Sequence, residues 1–429
     1  MSGQKPREIA ARILRQRENG SFVEDLLERE LAKAQLSSSD RGLCQELVYG
    51  VVRWQAALDW LISRKASQKR PAPAVQDLLR LGLYQIFWLE RIPNHAAVHE
   101  TVELAKARRL APQAGFINAV LRGYIREADT TKHSLASLKT SEPPIGYSHP
   151  KWLAQRWQKR WSAEQAAKLM EWNNQPPKTF ARVNTLKTEA GKLLTQWREE
   201  DVEYDFVRKD WLPENLMFEL KSHPPLNELA SFRQGWFYVQ DPSTLLAVES
   251  LGAQPGEAIL DLCAAPGGKL TYIAQQVRNE ARIAAHDVST ERLKLIHENC
   301  VRLGVTCAHA ILPAEMAVQP SASFNRILLD APCSNTGVMR RRVDLRWRIR
   351  PEEIKRLREM QIELLAQAAR LLKPGGTLVY STCSLEPEEN EEVITEFLQT
   401  QSGFKLEHRR ELLPFVEQVD GAFVARLLR

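Results

Sequence analysis

The sequence predicts an α/β protein built on a doubly wound, mainly parallel, Rossmann-like sheet. A small α+β unit and an all-helical bundle precede that sheet. Three observations predict this. Up to about residue 130 the apolar residues recur at helical spacing. From about Ser243 short β-rich runs alternate with amphipathic helical runs, the pattern of a parallel sheet. The 429 residues exceed what one ordinary core accommodates, so two or three domains are expected.

In the bundle, "IAARILRQ", "FVEDLLERELAKA", "GLCQELVYGVVRWQAALDWLI" and "VQDLLRLGLYQIFWLE" read as helices. Ser39-Asp40 is a candidate N-cap and Pro71 a break. The Ser, Pro and Gly content of "HSLASLKTSEPPIGYSHPKW" suggests a linker. "PKWLAQRWQKRW" resumes as an amphipathic helix. "TFARVNTL", "EYDFV" and "GWFYVQD" then read as strands around the helix "TEAGKLLTQWREE". In the last part "AILDLCAA", "RIAAHDV", "FNRILLDAP", "GGTLVYSTCS" and "GAFVARLL" read as strands. The helices between them are "GKLTYIAQQV", "TERLKLIHENCVRLG", "PEEIKRLREMQIELLAQAARLL" and "EENEEVITEFLQ".

Composition narrows the function classes. No apolar run reaches the roughly 20 residues of a membrane helix. The polar start "MSGQKPREIA" lacks a signal-peptide core. Six scattered cysteines form no paired C-x-x-C, so free thiols in a reducing cytoplasm are expected, without structural zinc. The first 132 residues hold 21 Lys plus Arg against 15 Asp plus Glu, an excess that accounts for the whole net charge of +6. A basic leading unit on a neutral body suits an anionic partner such as RNA, or is simply a solvated surface.

The stretch "DLCAAPGGKL" places Gly267 and Gly268 between a strand and a helix, at the sheet edge where ligands bind. Glycine lets a ligand approach the backbone, and the helix that follows points free N–H groups at the site. The stretch fits neither G-x-x-x-x-G-K-[ST] nor G-x-G-x-x-G. Asp287 ends the next strand, where an acid accepts hydrogen bonds from a ribose diol. A glycine turn and a ribose acid without a phosphate cradle suit S-adenosylmethionine, with an NAD-type cofactor as the alternative.

Cys333 follows the strand "RILLD" and Cys383 the strand "TLVYS". Both thiols therefore belong at the edge that carries the glycine turn. Packing is the usual role of a free cysteine, and it is the expectation for Cys44, Cys300 and Cys307. The shared edge argues for chemistry at Cys333 and Cys383. Cys263 lies in the turn itself, where packing behind the ligand is expected.

"LDLCAAPGGK", "LLDAPCSNTGV" and "YSTCSLEPEEN", in this order, resemble the motifs of the RNA (cytosine-5)-methyltransferases. The helical bundle ahead of them is similar to the bacterial Fmu/Sun branch, whose leading domain resembles the RNA-binding factor NusB. "RVNTLK" and "DGAFVARL" fit as well. The resemblance implies a NusB-like domain over 1–132, a small subdomain over 150–242 and a methyltransferase domain over 243–429. It implies S-adenosylmethionine held by Cys263, Ala264, Ala265, Pro266, Gly267, Gly268, Lys269, Asp287 and Asp330. It implies Cys383 as nucleophile, Cys333 as the second cysteine and Asp330 as the motif acid. No metal is implied. The implied partner is 16S rRNA, free or partly assembled, for a cytoplasmic monomer. The family's acid near the adenine is replaced here by Pro313, which leaves backbone and apolar contacts or Glu315.

Carbon 5 of cytosine is a poor nucleophile until a thiolate adds to carbon 6. Asp330 is expected to protonate N3, Cys333 to assist release, and Lys269 to orient substrate or Asp330. The base must be single-stranded or flipped. "RRRVDLRWRIR" (Arg340 to Arg350) is expected to contact RNA backbone and stack a base. An amino-group methyltransferase would want an aromatic where "DAPC" has a thiol. A tRNA methyltransferase and a non-catalytic assembly factor are the remaining alternatives.

Overall fold

The computed structural model describes residues 5–18, 20–66 and 70–429, so the first four residues of the expected bundle lie outside it. The chain divides into two compact units. One is Met1–Gln175 together with Met339–Arg348, and the other is Pro176–Val338 with Ile349–Arg429.

The first unit is helical. Its core runs from Ile13 and Leu47 through Leu78 and Leu121 to Val343. The helix Ser38–Arg53 starts two residues earlier than the sequence suggested, because the Ser37 hydroxyl accepts from the Asp40 backbone N–H at 3.1 Å. Pro73 opens the helix Pro73–Trp88, as a missing N–H permits. The supposed linker is instead the helix Ala128–Ser141 and the turn Pro143–Gly146. Its hydroxyls misled the reading: Ser134 and Ser141 donate to the carbonyls four residues back, at 2.9 and 3.1 Å, and keep the helix polar. The helices Lys151–Arg160 and Ala163–Asn174 also group with this unit.

The segment Met339–Arg348 corrects a second expectation. Arg340 and Arg346 are buried rather than presented to RNA. The Arg346 guanidinium donates to the Asn174 side chain and to the carbonyls of Asn173, Ser148 and Arg53, at 2.8 to 3.3 Å. Burial pulls its pKa down to about 9. Arg340 lies over the Trp172 ring at 4.0 Å. Asp344, fully buried, accepts from Arg17 at 2.6 Å and from Arg348 at 2.9 Å. A run of arginines signals charge, but six of these partners lie more than 150 residues away, so the sequence could not show where the charge is used.

The second unit holds two sheets. Strands β1 (Thr179–Val183), β2 (Glu203–Phe206), β3 (Met217–Ser222) and β4 (Phe237–Val239) form an antiparallel sheet in the order β2-β3-β1-β4. Trp197 of the helix Ala190–Glu199 packs on it among Phe218 and Phe237. Strands β5 (Ala258–Asp261), β6 (Arg282–His286), β7 (Ala308–Ile311), β8 (Phe324–Asp330), β9 (Leu372–Thr382), β10 (Lys405–Leu412) and β11 (Ala422–Leu428) form the larger sheet. Its order is β10-β11-β9-β8-β5-β6-β7. The five strands from β9 to β7 run parallel, and β10 and β11 pair antiparallel. The carboxyl ends of β5, β6, β8 and β9 therefore lie along one edge. No described helix is long and apolar enough to cross a membrane.

Replacing Arg346 with Ala would leave those four buried acceptors without a donor. The expected cost is about 3 kcal/mol, read as an earlier denaturant midpoint for the first unit. Unchanged stability with weakened RNA binding would restore the RNA-contact reading.

Candidate active site

The turn after β5 is shaped by its neighbours. Gly267 sits at φ +102°, a conformation that side chains rarely adopt. A Cβ on Gly268 would lie 3.0 Å from the Tyr238 ring. The Ala264 N–H donates to the His286 carbonyl at 2.9 Å, carrying the β5–β6 pairing into the turn. Arg182 of β1 braces it from behind. Its buried guanidinium donates to the Gly268 carbonyl at 2.9 Å, the Thr271 hydroxyl at 3.0 Å and the Gln240 side chain at 2.6 Å. It also lies over Tyr272 and Tyr238. Burial pulls its pKa down to about 10.

Asp287, beyond β6, is 3% exposed. Its carboxylate accepts from the Ala265 N–H at 3.3 Å, the Ser289 N–H at 3.2 Å and the Arg292 guanidinium at 3.3 Å. Arg292 also donates to the Ala265 carbonyl at 2.9 Å. The turn and the acid are thus fixed together by three donors. Glu315 is spent locally: its carboxylate accepts from the Leu312 N–H at 2.9 Å. Val288 and Leu312 are exposed apolar side chains beside these groups in sequence.

Lys269, on the helix Gly268–Gln276, donates to Asp330 at 2.6 Å. The other Asp330 oxygen accepts from the Ser381 hydroxyl at 2.8 Å. Burial pulls the Lys269 pKa down, but the paired Asp330 carboxylate more than offsets it and the net shift is upward. Lys269 is therefore held protonated. Asp261, at the end of β5, is fully buried, and neither of its oxygens meets a donor among the described residues. Burial and then the Asp330 charge push its pKa up to about 8, against the opposing pull of Lys269.

The two cysteine loops meet. The Sγ atoms of Cys333 and Cys383 lie 3.4 Å apart. The Cys383 thiol donates to the Asn335 Oδ1 at 3.0 Å, and the Asn335 amide donates to the Cys333 carbonyl at 2.7 Å. The hydrogen bond to Cys383, followed by burial, pushes the Cys333 thiol well up. Cys333 therefore keeps its proton near neutrality. Cys263 is pushed up by burial, so it is no ready thiolate. Cys44 and Cys300 are buried and pushed up to about 11, which suits packing.

One buried carboxylate organises both loops. Glu389 accepts from the Ser334 N–H at 2.8 Å, from Gln361 at 3.1 Å and from the hydroxyls of Ser334 and Ser384. Asn390 donates to the Ser384 carbonyl at 2.9 Å and accepts from the Thr382 hydroxyl at 2.6 Å. Gly337 packs so closely that a Cβ there would stand 2.7 Å from the Cys383 carbonyl and 2.8 Å from the Gly421 Cα. Sequence reasoning missed Glu389, Asn335, Ser381 and Arg182 as site residues. All four stand inside the quoted motifs, which was the available signal.

A glycine turn, a buried acid after the second strand and a reactive edge on a sheet of this order define the fold of the S-adenosylmethionine-dependent methyltransferases. Residues 248–428 match the family described as "16S rRNA methyltransferase RsmB/F", 4–126 the NusB family, and 149–221 a ferredoxin-like domain of RsmF/B-like methyltransferases. The chain is 38% identical to the probable ribosomal RNA small subunit methyltransferase B of Bacillus subtilis (strain 168), over 96% of this chain and 93% of that one. It belongs to the RsmB/F family of RNA methyltransferases. A solved methyltransferase homologue from Pyrococcus horikoshii is 31% identical, with a TM-score of 0.58 over 67% of this chain and 97% of its own. The solved structure of PH0851, 24% identical, shares the fold over 99% of both chains with a TM-score of 0.80.

The raised pKa of Asp261 has a consequence for stability. The folded state keeps its proton up to about pH 8, whereas an unfolded carboxyl loses it near pH 4. The group's contribution is therefore full at acid pH and is lost as pH rises towards 8. Asp261→Asn should match the wild type at about pH 4 and melt about 3 °C higher at pH 8.5. Parallel melting curves across that range would show that Asp261 is ionised in the fold.

Proposed function

We propose that the chain methylates carbon 5 of a cytosine in 16S rRNA through a covalent adduct to Cys383, working as a cytoplasmic monomer. The observation that carries this reading is the pair of thiols 3.4 Å apart on the edge that also holds the Lys269–Asp330 pair. The family and the small-subunit rRNA named in the Bacillus relative support the substrate class. Residues 1–132 serve as the RNA-binding domain, 150–242 as the small subdomain and 243–429 as the catalytic domain.

The residues present fit S-adenosylmethionine. Asp287 retains acceptor capacity for ribose hydroxyls, and the Cys263–Lys269 turn offers backbone at close range. With Glu315 engaged at Leu312, Val288 and Leu312 supply an apolar setting for adenine. When bound, the cofactor supplies an electrophilic methyl group to the activated carbon 5. The Cys383 thiolate adds to carbon 6. The ring's electron pair shifts toward N3, which takes a proton that the Lys269 ammonium passes through the Asp330 carboxylate. After methylation the carbon 5 proton leaves to water, the 5,6 double bond re-forms as the carbon–sulfur bond breaks, and N3 returns its proton through Asp330 to Lys269. The Cys333 thiol donates a hydrogen bond to the departing Cys383 thiolate. Asn335 aims Cys383, and Ser381 holds Asp330.

Methyl transfer from labelled cofactor to 16S rRNA, read with a denaturing gel, tests these roles. Cys383→Ala should give neither product nor adduct. Cys333→Ala should add and methylate, then stall with RNA attached. The reverse pattern would make Cys333 the nucleophile. Asp287→Ala should weaken cofactor binding by about 1–3 kcal/mol in calorimetry, and unchanged affinity would remove it from the site.

A further inference from the structure

The first unit carries a concave pocket of about 360 Å³ that the chemistry above does not use. Three elements border it. Arg15 comes from the helix Pro6–Arg17, Asp77 and Leu78 from the helix Pro73–Trp88, and Arg108, Arg109 and Leu110 from the loop that follows the helix Asn94–Ala107. The remaining wall is alanine, so the floor is apolar and the rim is cationic.

The charges are unbalanced. Among the lining residues three guanidinium groups meet one carboxylate, and Arg15 is also paired with Glu18 beyond the lining. Asp77 is buried and already accepts from Arg80 and Arg15, each at 3.3 Å. Burial pushes its pKa up to about 6, so it contributes at most one negative charge. Arg108 donates to the Glu8 carbonyl at 2.8 Å, a neutral partner, and the Glu8 and Asp77 carboxylates act on its charge only from further off. The exposed Arg109 side chain has no hydrogen bond or ion pair among the described residues, and its backbone stands at φ +62°. A left-handed backbone is costly for a side chain with a Cβ. Here it sits in the three-residue turn that places Arg108 and Arg109 side by side on the pocket rim.

We infer that this pocket takes one nucleotide of the RNA strand, with the phosphate on Arg15, Arg108 and Arg109 and the base against Leu110 and the alanine wall. Guanidinium groups suit phosphate because their forked donors match its oxygens. The apolar wall beside them can cover one face of a base, while the guanidinium planes can stack on it. The volume accommodates a single nucleotide and excludes a duplex. The inference rests on the reading that the substrate is RNA, and it adds where the helical unit holds that strand.

The test uses the full chain and a fluorescent single-stranded RNA decamer titrated between 50 and 200 mM salt. Arg109→Glu should weaken binding about tenfold at 50 mM salt. Removing all three guanidinium groups should flatten the salt dependence by about two units of slope, since each single-strand phosphate contact contributes about 0.7. Cofactor affinity should not change in either variant. Arg15 and Arg108 make internal contacts, so Arg109→Glu alone, with an unaltered melting temperature, carries the result if the triple variant fails to fold. RNA binding and salt slope unchanged in Arg109→Glu would overturn the inference. Millimolar cytidine monophosphate serves as a second arm. Saturation of the pocket by the mononucleotide as tightly as by the decamer would also overturn it, in favour of a free-nucleotide site. A wild-type chain that binds no RNA would instead defeat the substrate reading itself.

Discussion

The edge that carries the two thiols depends on one buried carboxylate that must be satisfied. Glu389 is fully enclosed, and a carboxylate in that setting persists only where donors surround it. Its donors come from Ser334, Ser384 and Gln361. Ser334 directly follows one cysteine and Ser384 directly follows the other. Satisfying Glu389 therefore fixes both loops at once, and the thiol pair is a by-product of that requirement. The Tyr380 hydroxyl, donating to the Glu389 carbonyl at 2.6 Å, locks the same residue from the strand below. Burial still raises the Glu389 pKa, a sign that the donors offset the desolvation only in part.

The other half of the edge obeys the same logic with the opposite charge. Arg182 is as deeply buried as Glu389, and its partners are a carbonyl, a hydroxyl and an amide on the turn and its surroundings. An uncompensated guanidinium inside a protein would be very costly, so β1 and the glycine turn cannot separate without penalty. The small antiparallel sheet is thus part of the glycine turn's construction. Between these two anchors lies Lys269–Asp330, a pair that solvent can still reach in part.

Much of this was legible in the sequence, for reasons that differ by element. Strands β5, β6, β8, β9 and β11 were readable because their neighbours bury both faces and leave apolar runs. Strands β7 and β10 were not, because they are the sheet's edges and carry polar residues such as His309 and Arg409 facing outward. The positions of Cys333 and Cys383 followed from strand ends alone. Their separation did not, since it is set by contacts between residues 48 to 55 positions apart. The arginine-rich stretch shows the limit most clearly: charge is visible in a sequence, and burial of charge is not. The polar helix Ala128–Ser141 shows the converse, in which a segment with little apolar content is ordered by its own backbone and by Leu138.

The excursion of Met339–Arg348 into the helical unit also bears on how the protein is made. Val343 lies in the core of a unit whose other members were all translated before residue 176. Arg346 closes acceptors that stay open until then. A domain at the amino end ordinarily folds while the rest is still being synthesised, at about 5–20 residues per second. Here the last piece leaves the ribosome some 160 residues later, on the order of ten to thirty seconds at that pace. The nascent helical unit must wait incomplete for that interval, with basic surface and unpaired carbonyls exposed. The enzyme's leading domain is therefore finished late, and the birth order of the chain runs against the order of its domains.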